Sequence, residues 1–392
     1  MSSESPAGPL VGIKVLDFSS FIAGCYTAVL LGDLGADIIK VEPKYGDGAR
    51  YWGPFLKGEG RAFQAWNRNK RSIALDLTSE QGLEIVHKLI AETDILVENF
   101  RHGITKKLGI DYPASKSLNP EIIYCSITGF GAKGPFGDRP AYDPILQSMS
   151  GGAIGNERFA GTTCISSAAF SDYGAGLLGS SGVLAALFHR ERTGIGQHIE
   201  TSLLQSVMTM QAHSFVKAHN VEDEPPFGIF PYRLFETKDS LIFIAGPTDK
   251  FWKILCESIG APELATDPKY KTNSDRVNHT DELIEILQPL LAEKTTKEWE
   301  EIFVPQEFPC GPVMTYEDFF DLPQVAAMDM RPASDHDTIG PIDMAGVPLH
   351  FSETPGAVQS AAPTLGQHTH EILNELGYSS EDVARLKDSE HV

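Results

Sequence analysis

The sequence predicts an α/β fold in which a Rossmann-like large domain is followed by a smaller α+β domain. Apolar, β-branched runs at residues 13–18 and 37–42 flank a segment of helical periodicity at 22–34, and such a strand–helix–strand unit requires a parallel sheet. An acidic, proline-rich segment at 221–226 is typical of a linker. The pattern after it is that of a hairpin, which indicates a second domain.

Strand and helix signals alternate through the rest of the large domain. Apolar runs predict strands at residues 72–77, 94–97, 122–127 and 197–202. Helical periodicity predicts helices at residues 79–91, 104–108, 173–191 and 203–218. Thr78 and Gln81 form a capping-box pattern at the start of the first of these helices.

Two segments rich in glycine interrupt this alternation. Residues 45–61 are glycine-rich and aromatic, and residues 129–143 carry Lys133 and Arg139 among glycines and prolines. The second segment is either a surface connection or a loop that shapes the mouth of a pocket, since loops of this length in compact domains are often functional.

The second domain is predicted to open with strands at residues 232–236 and 241–245. Helices are predicted at residues 249–259, 281–292 and 296–303, and residues 308–314 close the unit. An extended segment at 328–363 is long enough to return to the first domain at about 3.3 Å per residue, and a final helix is predicted at 367–376. We therefore expect a large domain at 1–220, a small domain at 228–327, and residues 328–392 completing the large domain.

Composition excludes several classes of function. The 392 residues carry a formal net charge of −21, although residues 1–140 hold 16 basic against 16 acidic side chains. The acidity argues against nucleic acid as a partner, while the neutral first third leaves room for a small anionic ligand. Neither a signal peptide nor a membrane span is predicted. The five cysteines show no CxxC spacing, which indicates neither zinc nor disulfides and fits a reducing cytoplasm.

The candidate site with the strongest signal lies at Asp172. Small residues follow it closely within the predicted helix 173–191, and Asp172 would stand at the start of that helix. On one interpretation it is an N-cap, kept ionised by free amides and the helix dipole. On the other it is a functional carboxylate, because glycines let another backbone or a thin ligand come close.

Other candidate sites are less specific. The first strand–helix turn has a single glycine, Gly24, in place of a GxGxxG fingerprint, so a dinucleotide bound through that motif is not expected. Asn99, Phe100 and Arg101 follow a predicted strand, and ligands of parallel sheets bind at that end. No metal site is predicted.

Taken together, several stretches of the chain resemble the family III CoA-transferases, the group that includes formyl-CoA transferase and the carnitine CoA-transferases. In chain order they are VLDFSSFIAGCYTAVLLGDLGADIIKVEP, NRNKRSIALDL, DILVENFRHGITKKLGIDY, YCSITGFGAKGP, DRPAYD, SDYGAGLLGSSGVLAALFHRERTGIGQHIETSLL and LGQHTHEILNELGYS. They cover nearly the whole chain. Each stretch alone is loose, and their order makes the resemblance specific.

The resemblance implies an architecture and a set of site residues. Two ring-shaped subunits would interlock as a homodimer, with CoA on the Rossmann-like domain. Asp172 aligns with the family's nucleophile, and Tyr142 falls on the active-site side of the pocket. The helix start at Tyr173 and Gly174 is expected to supply amide donors to the reacting oxygens. The CoA-binding positions carry over to Ile22, Ala23, Leu75, Asp76, Leu77, Thr78, Asn99, Phe100, Arg101 and Lys107.

Two departures from the family affect how the CoA phosphates are bound. Some members have Gln where Ile22 stands and Arg where Pro43 stands. Neither side chain here can replace those polar contacts. The cations expected to take over are Lys44, Lys70, Arg71 or Arg101.

The expected function is the transfer of CoA from an acyl-CoA thioester to a small carboxylic or dicarboxylic acid. CoA is a cosubstrate, and neither a prosthetic group nor a metal is needed. Three alternatives stay open: transfer of CoA within one dicarboxylate, α-methylacyl-CoA racemisation, and a CoA-binding protein in which Asp172 is only a cap. Relatives that racemise place a histidine base where Tyr142 stands, and a phenol is a poor base at neutral pH.

Overall fold

The computed structural model describes residues 8–157, 161–217, 219, 228–389 and 392. The chain divides into two compact units, one comprising residues 1–157, 162–216 and 323–392 and the other residues 158–161 and 217–322. The linker predicted at 221–226 lies outside the described residues.

A six-stranded sheet, parallel throughout, forms the centre of the first unit. Its strands in spatial order are Lys70–Ala74, Asp37–Glu42, Lys14–Asp17, Ile95–Glu98, Ile123–Thr128 and His198–Ser202. Successive side chains point to opposite faces, so Val15 and Leu16 belong to two different core clusters. The α/β class with a parallel sheet is therefore confirmed.

Helices cover both faces of this sheet. Helices Ala23–Asp33 and Phe170–Thr193 share a core cluster on one face. Helices Glu80–Ala91, Thr369–Glu375 and Ser380–Asp388 share a core cluster on the other. The further helices of this unit are Arg61–Asn67, Ile104–Lys107, Tyr112–Leu118, Asp143–Met149, Gly152–Gly155, Leu203–Met210 and Pro323–Ala327, with 3₁₀ turns at Gly48–Tyr51 and Ala212–Phe215. Two short antiparallel pairs join Phe55–Leu56 to Glu59–Gly60 and Ala333–His336 to Gly340–Asp343.

The small residues after Asp172 let one helix approach another closely. Thr27 Oγ1 donates a hydrogen bond to the Gly176 carbonyl at 3.0 Å. A Cβ atom on Gly176 would lie 3.0 Å from the backbone oxygen of Ala23. The sequence left open whether these glycines admit another backbone or a thin ligand. In the described residues, the close neighbour of Gly176 is the backbone of another helix.

Several boundaries differ from the predictions. The strand predicted at 72–77 is Lys70–Ala74, because it pairs with Asp37–Glu42. Its first two residues, Lys70 and Arg71, form ion pairs with carboxylates of the sheet. The helix predicted at 203–218 ends at Met210, and the helix predicted at 367–376 is confined to Thr369–Glu375. Most helices that were not predicted have seven residues or fewer, which is too short for a clear periodicity.

The second unit has a core of its own. Its antiparallel strands lie in the order Cys310–Pro312, Leu241–Ala245 and Tyr232–Glu236. Its helices are Asp249–Ser258, Asn273–Asn278, Thr280–Leu291, Thr296–Phe303 and Tyr316–Phe320, with 3₁₀ turns at Pro262–Ala265, Pro268–Tyr270 and Val304–Gln306. Trp252 and Trp299 are buried at the centre of this core. Among the helices described in either unit, none combines the length and the apolar character needed to cross a membrane.

Candidate active site

Asp172 lies inside the first turn of helix Phe170–Thr193 and is not its N-cap. The helix starts three residues earlier than predicted, and Ala169 occupies the capping position without a side-chain hydrogen bond. The interpretation of Asp172 as an N-cap is therefore wrong. The early start has a cause outside the local sequence, because a distant carboxylate accepts the free amide of Ser171.

That carboxylate belongs to Asp143, in the first turn of helix Asp143–Met149. Asp143 is 4% exposed, and its Oδ1 accepts hydrogen bonds from the Ser171 amide at 2.7 Å and from the Ser171 hydroxyl. Gln147 donates to the other Asp143 oxygen and accepts from the Ser166 amide at 2.8 Å. Asp143 and Gln147 therefore hold the segment that leads into Asp172.

The electrostatic surroundings of Asp172 disfavour its charged form. Burial, and then the like charge of Asp143, raise the pKa of Asp172 to about 7. The expectation that the helix start keeps this carboxyl fully ionised is therefore wrong, since burial and the charge of Asp143 both disfavour the carboxylate. Near pH 7 the group populates both protonation states.

The predicted amide donors at the helix start are not both available. The Tyr173 amide donates to the Ala169 carbonyl at 3.0 Å. It is therefore already engaged, since the helix begins earlier than expected. Gly174 is buried in a close contact with helix Leu203–Met210. A Cβ atom at this position would lie 2.3 Å from Ser206 Oγ and 2.7 Å from Met210 Cε.

Aromatic side chains line the neighbourhood of Tyr142, which is 59% exposed. The Phe21 ring packs edge-on against Tyr142 and against Trp52, with centroids 6.2 and 6.1 Å apart. The Trp66 indole donates to the Tyr173 hydroxyl at 2.9 Å. Sequence reasoning did not single out Trp52, Trp66 or Asp143, which contact Phe21, Tyr173 and Ser171. The one sequence signal for Asp143 was its position directly after Tyr142 in the stretch DRPAYD.

The predicted CoA-binding positions differ in burial and in the contacts that they make. Ile22, Ala23 and Leu75 are buried, so that their side chains belong to the core. Asn99 lies at the carboxyl edge of the sheet, where its side chain accepts from the Ser20 amide at 2.9 Å and donates to the Ser20 carbonyl at 2.7 Å. Asn99 therefore fixes the loop after the first strand.

The remaining predicted positions follow two strands of the sheet, most of them in turns and Lys107 at the end of helix Ile104–Lys107. Asp76 accepts from the amide and the hydroxyl of Thr78 at 2.9 and 2.6 Å. Leu77 and Phe100 are half-buried and pack against a core cluster. Arg101 and Lys107 are exposed at the same edge of the sheet.

Two of the four cations expected to bind phosphate are already committed to carboxylates. Lys70 is fully buried beside Asp17, with the nitrogen and oxygen 2.8 Å apart. Arg71 pairs with three acidic side chains at 2.7 to 2.8 Å, namely Asp37, Glu371 and Glu375. The prediction that Lys70 or Arg71 holds CoA phosphates is therefore wrong.

The chain is similar to known proteins over nearly its full length. The model of "CoA-transferase family III" matches residues 10–369. Succinyl-CoA:glutarate CoA-transferase of Mus musculus is 35% identical over 96% of this chain and 89% of its own length. The succinyl-CoA–L-malate CoA-transferase beta subunit of Chloroflexus aurantiacus is 35% identical over 99% of both chains. The crystal structure of a CAIB/BAIF family protein from Brucella suis has a TM-score of 0.82 and 34% identity, and covers 94% of this chain and all of that chain.

Proposed function

The chain belongs to CoA-transferase family III, and from this premise we propose that it moves CoA from an acyl-CoA to a small dicarboxylic acid through covalent intermediates on Asp172. The observation that carries the proposal is the placement of Asp172. Its carboxyl group lies in the first turn of a long helix, and a buried hydrogen-bond network supports the residue before it. The backbone that carries Asp172 is therefore held from a second helix.

The reaction proceeds by acyl exchange at one carboxyl group. The Asp172 carboxylate attacks the thioester carbonyl, the carbon–sulfur bond breaks, and an acyl-aspartyl anhydride and a CoA thiolate result. The thiolate attacks the aspartyl carbonyl of the anhydride and releases the donor acid as a carboxylate, which leaves an aspartyl-CoA thioester. The acceptor carboxylate then repeats both steps in reverse and leaves with CoA. Water has to be excluded throughout, because it would hydrolyse the anhydride.

The raised pKa of Asp172 suits this role. A carboxylate whose pKa is about 7 is more basic than an ordinary aspartate and is still substantially ionised at neutral pH. Greater basicity favours attack on a carbonyl carbon, and partial ionisation keeps the nucleophile available.

Dicarboxylic acids are the favoured substrates because of the relatives. The Mus musculus relative is named for succinyl-CoA and glutarate, and the Chloroflexus aurantiacus relative for succinyl-CoA and L-malate.

Exposed Arg101 and Lys107 supply positive charge at the carboxyl edge of the sheet, where the CoA phosphates would bind. Transfer of CoA within a single dicarboxylate would use the same residues.

We also propose that the protein is a cytoplasmic homodimer of interlocked ring-shaped subunits, as the family resemblance implies. Leu177, Leu184 and Phe188 lie seven and four residues apart along helix Phe170–Thr193 and are 45%, 37% and 65% exposed. This spacing places them along one side of the helix. Exposed apolar side chains that cluster in this way are typical of an interface.

The experiment is a substrate screen of the purified protein by mass spectrometry, with several acyl-CoA donors and a panel of mono- and dicarboxylic acids. We expect succinyl-CoA to lose CoA to an added dicarboxylate, and Asp172→Asn and Asp172→Ala to abolish the exchange. Asp281→Asn is the matched control, because Asp281 is an exposed aspartate in the first turn of helix Thr280–Leu291. Full exchange in Asp172→Ala would overturn the proposal. Deuterium incorporation at the α-carbon without exchange of acids would indicate a racemase.

A further inference from the structure

We propose that Asp143 is a positioning residue for Asp172, and that its negative charge favours the covalently loaded, neutral form of Asp172 over the free carboxylate. The inference rests on the proposed covalent role of Asp172. It assigns two tasks to one buried carboxyl group, one geometric and one electrostatic.

The geometric task follows from the hydrogen bonds of Asp143. Both of its oxygens accept, one from the amide and hydroxyl of Ser171 and the other from Gln147. Gln147 in turn donates to the carbonyls of Ser166 and Ala168 at 3.3 and 3.2 Å. The turn before Asp172 is therefore fixed from a second helix, and so is the backbone from which the Asp172 side chain projects.

The electrostatic task follows from the kind of donors that surround Asp143. They are amides and a hydroxyl, which stabilise an ionised carboxylate without neutralising its charge. Among the described residues, no lysine, arginine or histidine forms an ion pair with either Asp143 or Asp172. The negative charge of Asp143 therefore acts on Asp172 without a compensating cation.

The consequence for the reaction is a bias toward the loaded enzyme. While Asp172 is a carboxylate, its negative charge lies near that of buried Asp143, and like charges disfavour each other at short range. When Asp172 becomes an anhydride, the negative charge moves to the CoA thiolate, which stays bound for the next step. When Asp172 becomes the thioester, the charge leaves the protein with the released donor carboxylate. Repulsion from Asp143 is then removed, so the loaded states gain relative to the free enzyme.

Other titratable groups on the packed elements do not account for this effect. Burial and Asp143 are the causes of the raised pKa of Asp172. The remaining titratable side chains on the neighbouring helix and strands are Cys25, Tyr26, Asp33, Tyr124, Cys125, His198 and Glu200. Asp33, the acidic group of the neighbouring helix, is already paired with Arg68 at 2.7 Å.

The test compares Asp143→Asn with Ser171→Ala. Asp143→Asn keeps the size of the side chain and one acceptor oxygen and removes the charge. Ser171→Ala keeps the charge and removes one hydrogen bond. For each variant, the pH dependence of kcat and the steady-state fraction of Asp172 carrying CoA are measured by stopped assay and peptide mass mapping.

We expect Asp143→Asn to move the acidic limb of the kcat profile down by about one pH unit and to lower the fraction of loaded Asp172 severalfold. Ser171→Ala is expected to reduce kcat without moving the limb. An unmoved limb and an unchanged loaded fraction in Asp143→Asn would overturn the inference, while the adduct in the wild-type protein would still support the proposed function. Absence of any wild-type adduct would instead overturn the proposed function.

A wild-type measurement keeps the inference testable if Asp143→Asn does not fold. We expect the acidic limb of the wild-type profile near pH 7, where a carboxyl group that is buried beside a like charge titrates. A limb near pH 4, the range of an ordinary aspartate, would overturn the inference without any variant.

Discussion

The ammonium group of Lys70 lies 2.8 Å from the carboxylate of Asp17, and the side chains of both residues are fully buried. Lys70 also donates to the Asn67 side chain and to the Cys25 carbonyl at 2.9 and 3.0 Å. All three donor hydrogens are therefore used, and the pKa of Asp17 is lowered despite its burial, through Lys70 and Lys40. The pair joins two strands of the sheet and stabilises the fold, which leaves the CoA phosphates to the exposed cations.

We expect Lys70→Met to be strongly destabilising. Removing Lys70 leaves the buried charge of Asp17 without its direct ion-pair partner, and such changes typically cost about 3–5 kcal/mol. Urea denaturation gives the free energy of unfolding. The control is Lys14→Met, since Lys14 forms an exposed pair with Glu92 at 3.6 Å, and exposed pairs contribute about 0–1 kcal/mol. Equal, small losses in both variants would contradict a structural role for Lys70.

Lys107→Ala should weaken binding of the acyl-CoA donor without slowing the chemical steps. Lys107 is exposed at the carboxyl edge of the parallel sheet, where ligands of such sheets bind. The expected result is a severalfold higher KM for acyl-CoA, an unchanged kcat and an unchanged KM for the acceptor acid. Lys14→Ala is the matched control, because Lys14 begins its strand at the opposite edge. A KM for acyl-CoA that matches the wild-type value would exclude Lys107 from the phosphate site.

Gly179→Val should destabilise the first unit by overpacking. A Cβ atom on Gly179 would lie 2.6 Å from Thr27 Oγ1 and 3.0 Å from Ile127 Cδ1, and extra methyl groups in a tight core cost about 1–3 kcal/mol. Thermal and urea unfolding measure the loss. Glu191→Val adds the same β-branched side chain at an exposed position of the same helix and should change stability far less. A Gly179→Val protein as stable as this control would refute the close helix contact.

Asp172→Asn should make the folded protein more stable at pH 8, because an ionised Asp172 is unfavourable in the fold. The pKa of Asp172 is raised to about 7 in the folded state and is about 3.9 in an unfolded chain. Between these values the folded wild-type protein binds more protons, so its stability falls as pH rises. The advantage of Asp172→Asn should therefore shrink below pH 7 and vanish near pH 4. Melting temperatures across this range check it, and a constant difference at every pH would contradict the raised pKa.

Much of the fold could be predicted because its signals are local. The strand–helix–strand opening, the parallel sheet and the hairpin of the second unit all follow from short apolar patterns, as with residues 13–18 against Lys14–Asp17. Asp172 could be singled out because seven of the ten residues that follow it are glycine, alanine or serine. Short helices such as Arg61–Asn67 escaped because seven residues carry too little periodicity.

The missed features depend on contacts between distant residues. Asp143 lies 28 positions from Ser171, and Lys70 lies 53 positions from Asp17. The sequence offered Lys70 and Arg71 as phosphate-binding cations, whereas Lys70 pairs with a carboxylate on another strand and Arg71 with carboxylates on a strand and a helix. The start of the Asp172 helix was misplaced for the same reason, since its amide acceptor comes from another helix.

The covalent role of Asp172 is tested most directly by peptide mass mapping of the protein quenched during turnover with succinyl-CoA and a dicarboxylic acid. The account predicts CoA joined to the Asp172 side chain, and a hydroxamate at the same position when hydroxylamine is added before the quench. Continued turnover with an unmodified Asp172, or with the adduct on a different residue, would contradict it.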